Sequence, residues 1–61
     1  MVEKARIMVV EDEAVISMEI QERLTKMGHL ICGTAASGEE AVSVATAKLP
    51  DLILMDVQLR G

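Results

Sequence analysis

The sequence predicts an α/β fold in which parallel strands and helices alternate as β-α-β-α-β. Two observations carry this reading. Residues 5–10 (ARIMVV) and 52–55 (LILM) are continuous apolar runs, as expected of parallel strands covered on both faces rather than on one. Between them the apolar period changes to three and four, and the links between elements are short, which favours parallel strands joined by right-handed crossovers.

The first run stops abruptly at Glu11, Asp12 and Glu13. From Ala14, the residues Ile16, Ile20, Leu24 and Met27 form one stripe of an amphipathic helix, with Glu19, Gln21, Glu22, Arg23 and Lys26 largely off it. Asp12 and Glu13 fall where a helix N-terminus favours negative charge, and Gly28 supplies a C-terminal stop. Residues 29–34 (HLICGT) read as a second, weaker strand that His29 begins at the surface. Ser37 and Glu40 then have capping-box spacing, opening a helix that carries Ala41, Val42, Val44 and Ala45 and ends before Pro50. Residues 52–55 form a third, buried strand that leads into Asp56, and residues 57–61 read as loop.

Length and composition bound the answer. With 61 residues the chain holds one small unit, and chains of this size bury only about 60% of their unfolded surface. Half the residues are apolar, but Phe, Tyr and Trp are absent, so the core must be built from aliphatic side chains and Met. A formal charge of −4 argues against direct nucleic-acid binding and suits a site that gathers carboxylates around a cation. The single cysteine, Cys32, excludes an internal disulfide framework and reads as a small core residue in a reducing compartment. No apolar run reaches the ~18 residues of a membrane span, and the N-terminus lacks a secretory pattern, so the expected location is cytoplasmic, with no membrane partner.

The chemistry lies in the acids. In a parallel sheet, ligands gather beyond the carboxyl ends of the strands. Taken singly, Glu11 and Asp12 would be an ordinary strand-end pair capping a helix, and Asp56 an ordinary turn residue. If the first and third strands are neighbours, three carboxylates converge on one small volume and repel one another unless a cation intervenes. Hard oxygen donors select Mg²⁺ or a similar ion. A carboxylate beside such an ion can attack a phosphoryl group, so the pattern suggests an acyl-phosphate site. The first strand–helix turn (EDEAV) has no glycine, which excludes a P-loop or dinucleotide fingerprint there.

The stretches VVEDEAV, LPDLILMD and DVQLRG resemble the receiver domains of two-component response regulators, in the same order and along the whole chain. The resemblance implies a flavodoxin-like sheet, of which this chain supplies a β-α-β-α-β half with strand order 2-1-3. Residues 1–61 are then expected to be the N-terminal portion of a receiver domain, with its fourth and fifth strands absent. It further implies that Asp56 accepts a phosphoryl group from a sensor histidine kinase, making the chain a phosphoacceptor rather than an enzyme. Asp12 and Asp56 would bind Mg²⁺ directly, Glu11 would assist, and the backbone carbonyl of Gln58 would complete the protein ligands.

Two departures accompany this resemblance. Arg60 stands where the family often has proline. The family's later Ser/Thr, Lys and aromatic switch residue belong to the fourth and fifth strands, and none of Lys4, Lys26 or Lys48 has the equivalent place in sequence. A competing reading is a structural module without phosphotransfer, self-associating as a homodimer through the exposed edge of its third strand.

Overall fold

The computed structural model describes residues 4–55. In chain order they form β1 (Arg6–Val10), α1 (Ala14–Lys26), β2 (Leu30–Ala35), α2 (Gly38–Lys48) and β3 (Leu52–Met55). The three strands form one parallel sheet in the order β2-β1-β3. Both the α/β class and the 2-1-3 order expected from the sequence are therefore present. The expected loop at residues 57–61 lies outside the described residues.

β1 is central, and Ile7, Met8, Val9 and Val10 are all buried. Met8 and Val10 share a cluster with Ala35 and Ala41, against which Cys32, Val44 and Ala45 pack, so these side chains point toward α2. Alternation along the strand sends Ile7 and Val9 to the other face, toward α1. The two helices do not touch each other and lie on opposite faces of the β1–β2 pair. This explains why β1 reads as an unbroken apolar run: neither of its faces meets water.

β2 departs from regular alternation. Ile7 pairs with Ile31 but Met8 pairs with Gly33, which leaves Cys32 as the extra residue of a bulge. Bulging lets Cys32 and Gly33, adjacent in sequence, both lie on the α2 side. A methyl group built on Gly33 would stand only 2.7 Å from Val44 Cγ1 and 3.4 Å from Lys48 Cγ. The absent side chain is what allows α2 to settle on this strand.

Helix ends are satisfied by several devices. Ser37 Oγ accepts from the Glu40 N–H at 3.2 Å, as the capping-box spacing predicts. The return bond goes one residue further back than in the usual box, with Glu40 Oε1 accepting from the Ala36 N–H at 2.7 Å. Gly28 follows α1 with a positive φ of 93°, as expected of a C-terminal stop. At the end of α2, Leu49 takes up left-handed backbone (φ 48°) ahead of Pro50. The last carbonyls there accept from a residue far away in sequence: the Arg6 guanidinium donates to Lys48 O at 2.7 Å and to Leu49 O at 2.8 Å.

Three expectations are corrected. The third strand is not buried: Leu52, Ile53, Leu54 and Met55 are 40–54% exposed. Among the described residues β3 touches only β1, because α1 and α2 cover the other two strands. On α1, Ile16 and Met27 of the predicted stripe are exposed and Ile20 and Leu24 half-buried, while the small Ser17 is buried. That helix lies close to the sheet near its start, and Ser17 Oγ is satisfied by accepting from Gln21 Nε2 at 3.0 Å. His29 precedes β2 rather than beginning it. It is half-buried, and its Nδ1 accepts from the Ala5 N–H at 3.1 Å.

Two substitutions test this packing. Gly33→Ala should lower stability by about 1–3 kcal/mol in urea denaturation, since the added methyl overpacks the β2–α2 contact. A neutral or stabilising effect would show that α2 is free to back away. Ser37→Ala should cost about 1 kcal/mol by the same measurement, the usual loss for an N-cap side chain.

Candidate phosphoacceptor site

The carboxyl ends of β1 and β2 face the start of α1, and the acids following β1 are gathered there. The Glu11 N–H continues the β1–β2 ladder by donating to Ala35 O at 3.0 Å. The Glu11 side chain is drawn inward, leaving the residue only 4% exposed. A buried carboxylate is costly unless it is hydrogen-bonded. Glu11 Oε1 accepts from the Glu13 N–H at 3.1 Å. Glu13 is the N-cap of α1 but makes no side-chain capping bond, and α1 has no acid in its first turn. Glu11 thus places an acceptor oxygen at the helix N-terminus, from two residues before the cap. Sequence reasoning assigned that place to Asp12 and Glu13, both of which are exposed.

A groove of about 260 Å³ opens beside these acids, lined among others by Glu11, Asp12, Ser17, Gln21, Thr34 and Glu40. Buried and exposed acids side by side offer hard oxygen donors, the chemistry suited to Mg²⁺. Among the described residues, no three His, Cys, Asp or Glu side chains come together as a metal site. Glu11 and Asp12 are two of the ligands expected from the sequence. The other two, Asp56 and Gln58, lie outside the described residues, as does Arg60. The acidic pair therefore fits a divalent cation as part of a donor set that needs at least one further oxygen ligand.

The third strand approaches this region from the other side of β1. Its register is Ile7↔Leu52, Met8↔Ile53, Val9↔Leu54 and Val10↔Met55. Glu11 follows Val10 in the sequence, and Asp56 follows Met55. At the opposite end of the same two strands, Asp51 Oδ2 accepts from the Arg6 N–H at 2.9 Å and the Asp51 N–H donates to Arg6 O at 2.8 Å. Neither Arg6 nor Asp51 was singled out from the sequence. The only available signal was a cation at the head of an apolar run and an acid at the head of another.

Comparison with known proteins agrees with this architecture. Residues 7–61 match the family model of the response regulator receiver domain. The transcriptional regulatory protein PdtaR of Mycobacterium tuberculosis is 44% identical over 54 residues, covering 88% of this chain and 26% of that protein. The phyllosphere-induced regulator PhyR of Methylorubrum extorquens is 41% identical over 54 residues, covering 87% of this chain and 20% of that protein. The crystal structure of the anti-anti-sigma factor PhyR from Bartonella quintana superposes with a TM-score of 0.93 at 37% identity, over 97% of this chain and 24% of that one. The response regulator PhyR from Brucella abortus gives a TM-score of 0.89 at 33% identity, over 93% of this chain and 24% of that one. The chain thus spans about a quarter of the length of these relatives. No helix among the described residues is long and apolar enough to cross a membrane. With the family match over most of its length, the parallel 2-1-3 sheet and the acids gathered at the end of β1, this chain belongs to the response regulator receiver domain family of two-component signalling.

Proposed function

We propose that this chain receives a phosphoryl group on Asp56 from the phosphohistidine of a sensor histidine kinase. The observation that carries the reading is the buried Glu11 beside Asp12 at the carboxyl end of β1, with β3 held in register on the neighbouring side. In the transfer, a carboxylate oxygen of Asp56 attacks phosphorus, an O–P bond forms, the P–N bond of the donor breaks and the imidazole leaves. Glu11 and Asp12, with Asp56 and the Gln58 carbonyl, would hold Mg²⁺. When bound, the ion offsets negative charge on the phosphoryl oxygens and between the carboxylates. The chain's own part is to hold the acids in place: the Glu13 N–H fixes Glu11, and the β1 ladder fixes its backbone. On this reading the chain is a phosphoacceptor, not an enzyme that turns over a substrate, and it works in the cytoplasm.

A second reading has one observation in its favour. The apolar β3 side chains are exposed, and an edge strand with bare apolar faces is a template for pairing. A homodimer through β3, without phosphotransfer, would present itself as a concentration-dependent mass in sedimentation that is indifferent to Mg²⁺.

Intact-mass analysis after incubation with Mg²⁺ and a small acyl-phosphate donor tests the first reading. The expected result is a single phosphoryl adduct that requires the cation and disappears in Asp56→Asn. An adduct that survives this substitution would place the acceptor elsewhere. Asp12→Asn should raise the Mg²⁺ concentration needed for half-maximal labelling by about tenfold or more, the usual cost of weakening a ligand shell. In urea denaturation without metal, Glu11→Ala should lose about 1–3 kcal/mol, because the Glu13 N–H is left without its acceptor. Glu11→Gln keeps an acceptor oxygen and should lose clearly less. Equal losses would show that the bond to Glu13 contributes nothing.

A further inference from the structure

Between Ala35, the last residue of β2, and Ser37, the N-cap of α2, stands only Ala36. The peptide unit joining Ala35 to Ala36 is held at both of its polar atoms. Its carbonyl, Ala35 O, accepts from the Glu11 N–H at 3.0 Å, and its N–H, that of Ala36, donates to Glu40 Oε1 at 2.7 Å. A peptide unit is planar, so restraining its N–H restrains the direction of its carbonyl. The Glu40 side chain therefore bears on the backbone of Glu11 through one rigid group.

Glu40 is itself anchored. Its N–H donates to Ser37 Oγ at 3.2 Å, and its neighbour Ala41 is buried in the cluster with Met8, Val10 and Ala35. α2 thus grips the core with one residue and the β2–α2 turn with the residue before it. Glu11 is consequently held from both helices. The Glu13 N–H, at the start of α1, donates to Glu11 Oε1 at 3.1 Å, and α2 holds the Glu11 backbone through the Ala35–Ala36 peptide. In a standard capping box the glutamate reaches back to the N-cap N–H. Here it reaches one residue further, to the peptide that carries the acceptor of Glu11. Glu11, Asp12 and Glu40 also line the same groove.

We propose that Glu40 is a positioning residue for the divalent-cation site, setting the backbone of Glu11 through the Ala35–Ala36 peptide. The inference rests on Glu11 and Asp12 being Mg²⁺ ligands. Groups that hold a ligand in place govern metal affinity without touching the metal. Glu40 acts in this way, through the place of its oxygen rather than through its charge.

The test separates place from charge, with Mg²⁺ alone as the probe at constant ionic strength. Affinity is measured by titration of backbone amide resonances, and the Glu11 amide is followed by hydrogen exchange without metal. Glu40→Asp keeps the carboxylate but draws it back from Ala36, whereas Glu40→Gln keeps an oxygen within reach and carries no charge. Glu40→Asp and Glu40→Ala should each raise the Mg²⁺ Kd about tenfold, the lower end of losing a partner that orients a ligand. The same two variants should speed exchange of the Glu11 amide relative to the β1 amides that precede it. Glu40→Gln should stay near the parent in both readouts. Ser37→Ala weakens the start of α2 but leaves the Ala36 bond in place, and should keep the parental affinity.

The proposal is overturned if Glu40→Gln weakens binding as much as Glu40→Asp, which would make Glu40 a charge acting on the cation. It is equally overturned if Ser37→Ala costs as much as Glu40→Ala, or if the Glu11 amide does not respond. A parent that binds Mg²⁺ no more tightly than Glu40→Ala defeats the role of Glu40 alone. A parent whose resonances ignore Mg²⁺ defeats the metal reading, and the positioning role with it.

Discussion

The structure depends on β1 being covered on both faces and bonded on both edges. Ile7, Met8, Val9 and Val10 supply most of the well-buried apolar surface, and every other element is placed by its relation to them. α2 rests on the Met8–Val10 side, α1 on the other, and β2 and β3 flank the ladder. Among the described residues, α2 approaches β2 closely at Gly33, which is why a single methyl group matters there. β1 also delivers its next residue, the acid Glu11, into the interior. Core and candidate site are therefore consecutive segments of one strand, and each constrains the other.

A buried carboxylate at the end of a buried strand is a local cost that the surroundings offset by specific geometry. The Glu13 N–H and the N-terminal end of α1 favour negative charge where Glu11 lies, and the Ala35 carbonyl anchors its backbone. Asp12 is left exposed, free to meet solvent or a cation. This division between a buried, oriented acid and a neighbouring exposed one is not what a helix cap requires. A cap needs one acceptor at the N-cap position, whereas here the N-cap side chain makes no bond and the acid two residues earlier makes it instead.

Much of this was legible in the sequence, and the gaps have physical causes. Continuous apolar runs located β1 and β3, the three-and-four period located α1, and Ser37 with Glu40 marked the start of α2, because each signal is local. The burial of β3 was misjudged, because a run of Leu, Ile and Met reports affinity for a core and not whether one lies within reach. The α1 stripe failed at Ile16 and Met27 for the same reason: periodicity names a face but not how far the sheet extends beneath it. The bulge at Cys32 and the return bond from Glu40 to Ala36 shift expected pairings by one residue, within the tolerance of any pattern. The bonds from Arg6 to residues 48–51 had only a faint signature, a cation at the head of one apolar run and an acid at the head of another. At the site, the acidic pair was legible as chemistry, whereas the burial of Glu11 and its bond to Glu13 needed three-dimensional packing to appear. Asp56 and Gln58 rest on the family pattern alone.

The two ends of the sheet do different work, and strand geometry makes them interdependent. At the carboxyl end, reacting groups must meet within a few tenths of an ångström of a productive arrangement. At the amino end, hydrogen bonds among Arg6, Asp51 and the last turn of α2 set where β3 starts. An extended strand is a stiff spacer whose side chains alternate, so an error at its head arrives undiminished at its tip as both a displacement and a change of face. A strand buried between helices can correct such an error by packing. Among the described residues, neither α1 nor α2 packs on β3, and its place beside β1 is set by the ladder and by the polar contacts at its head. These contacts are hydrogen bonds rather than an ion pair: the Arg6 guanidinium donates to the Lys48 and Leu49 carbonyls, and the Asp51 carboxylate accepts from the Arg6 backbone N–H.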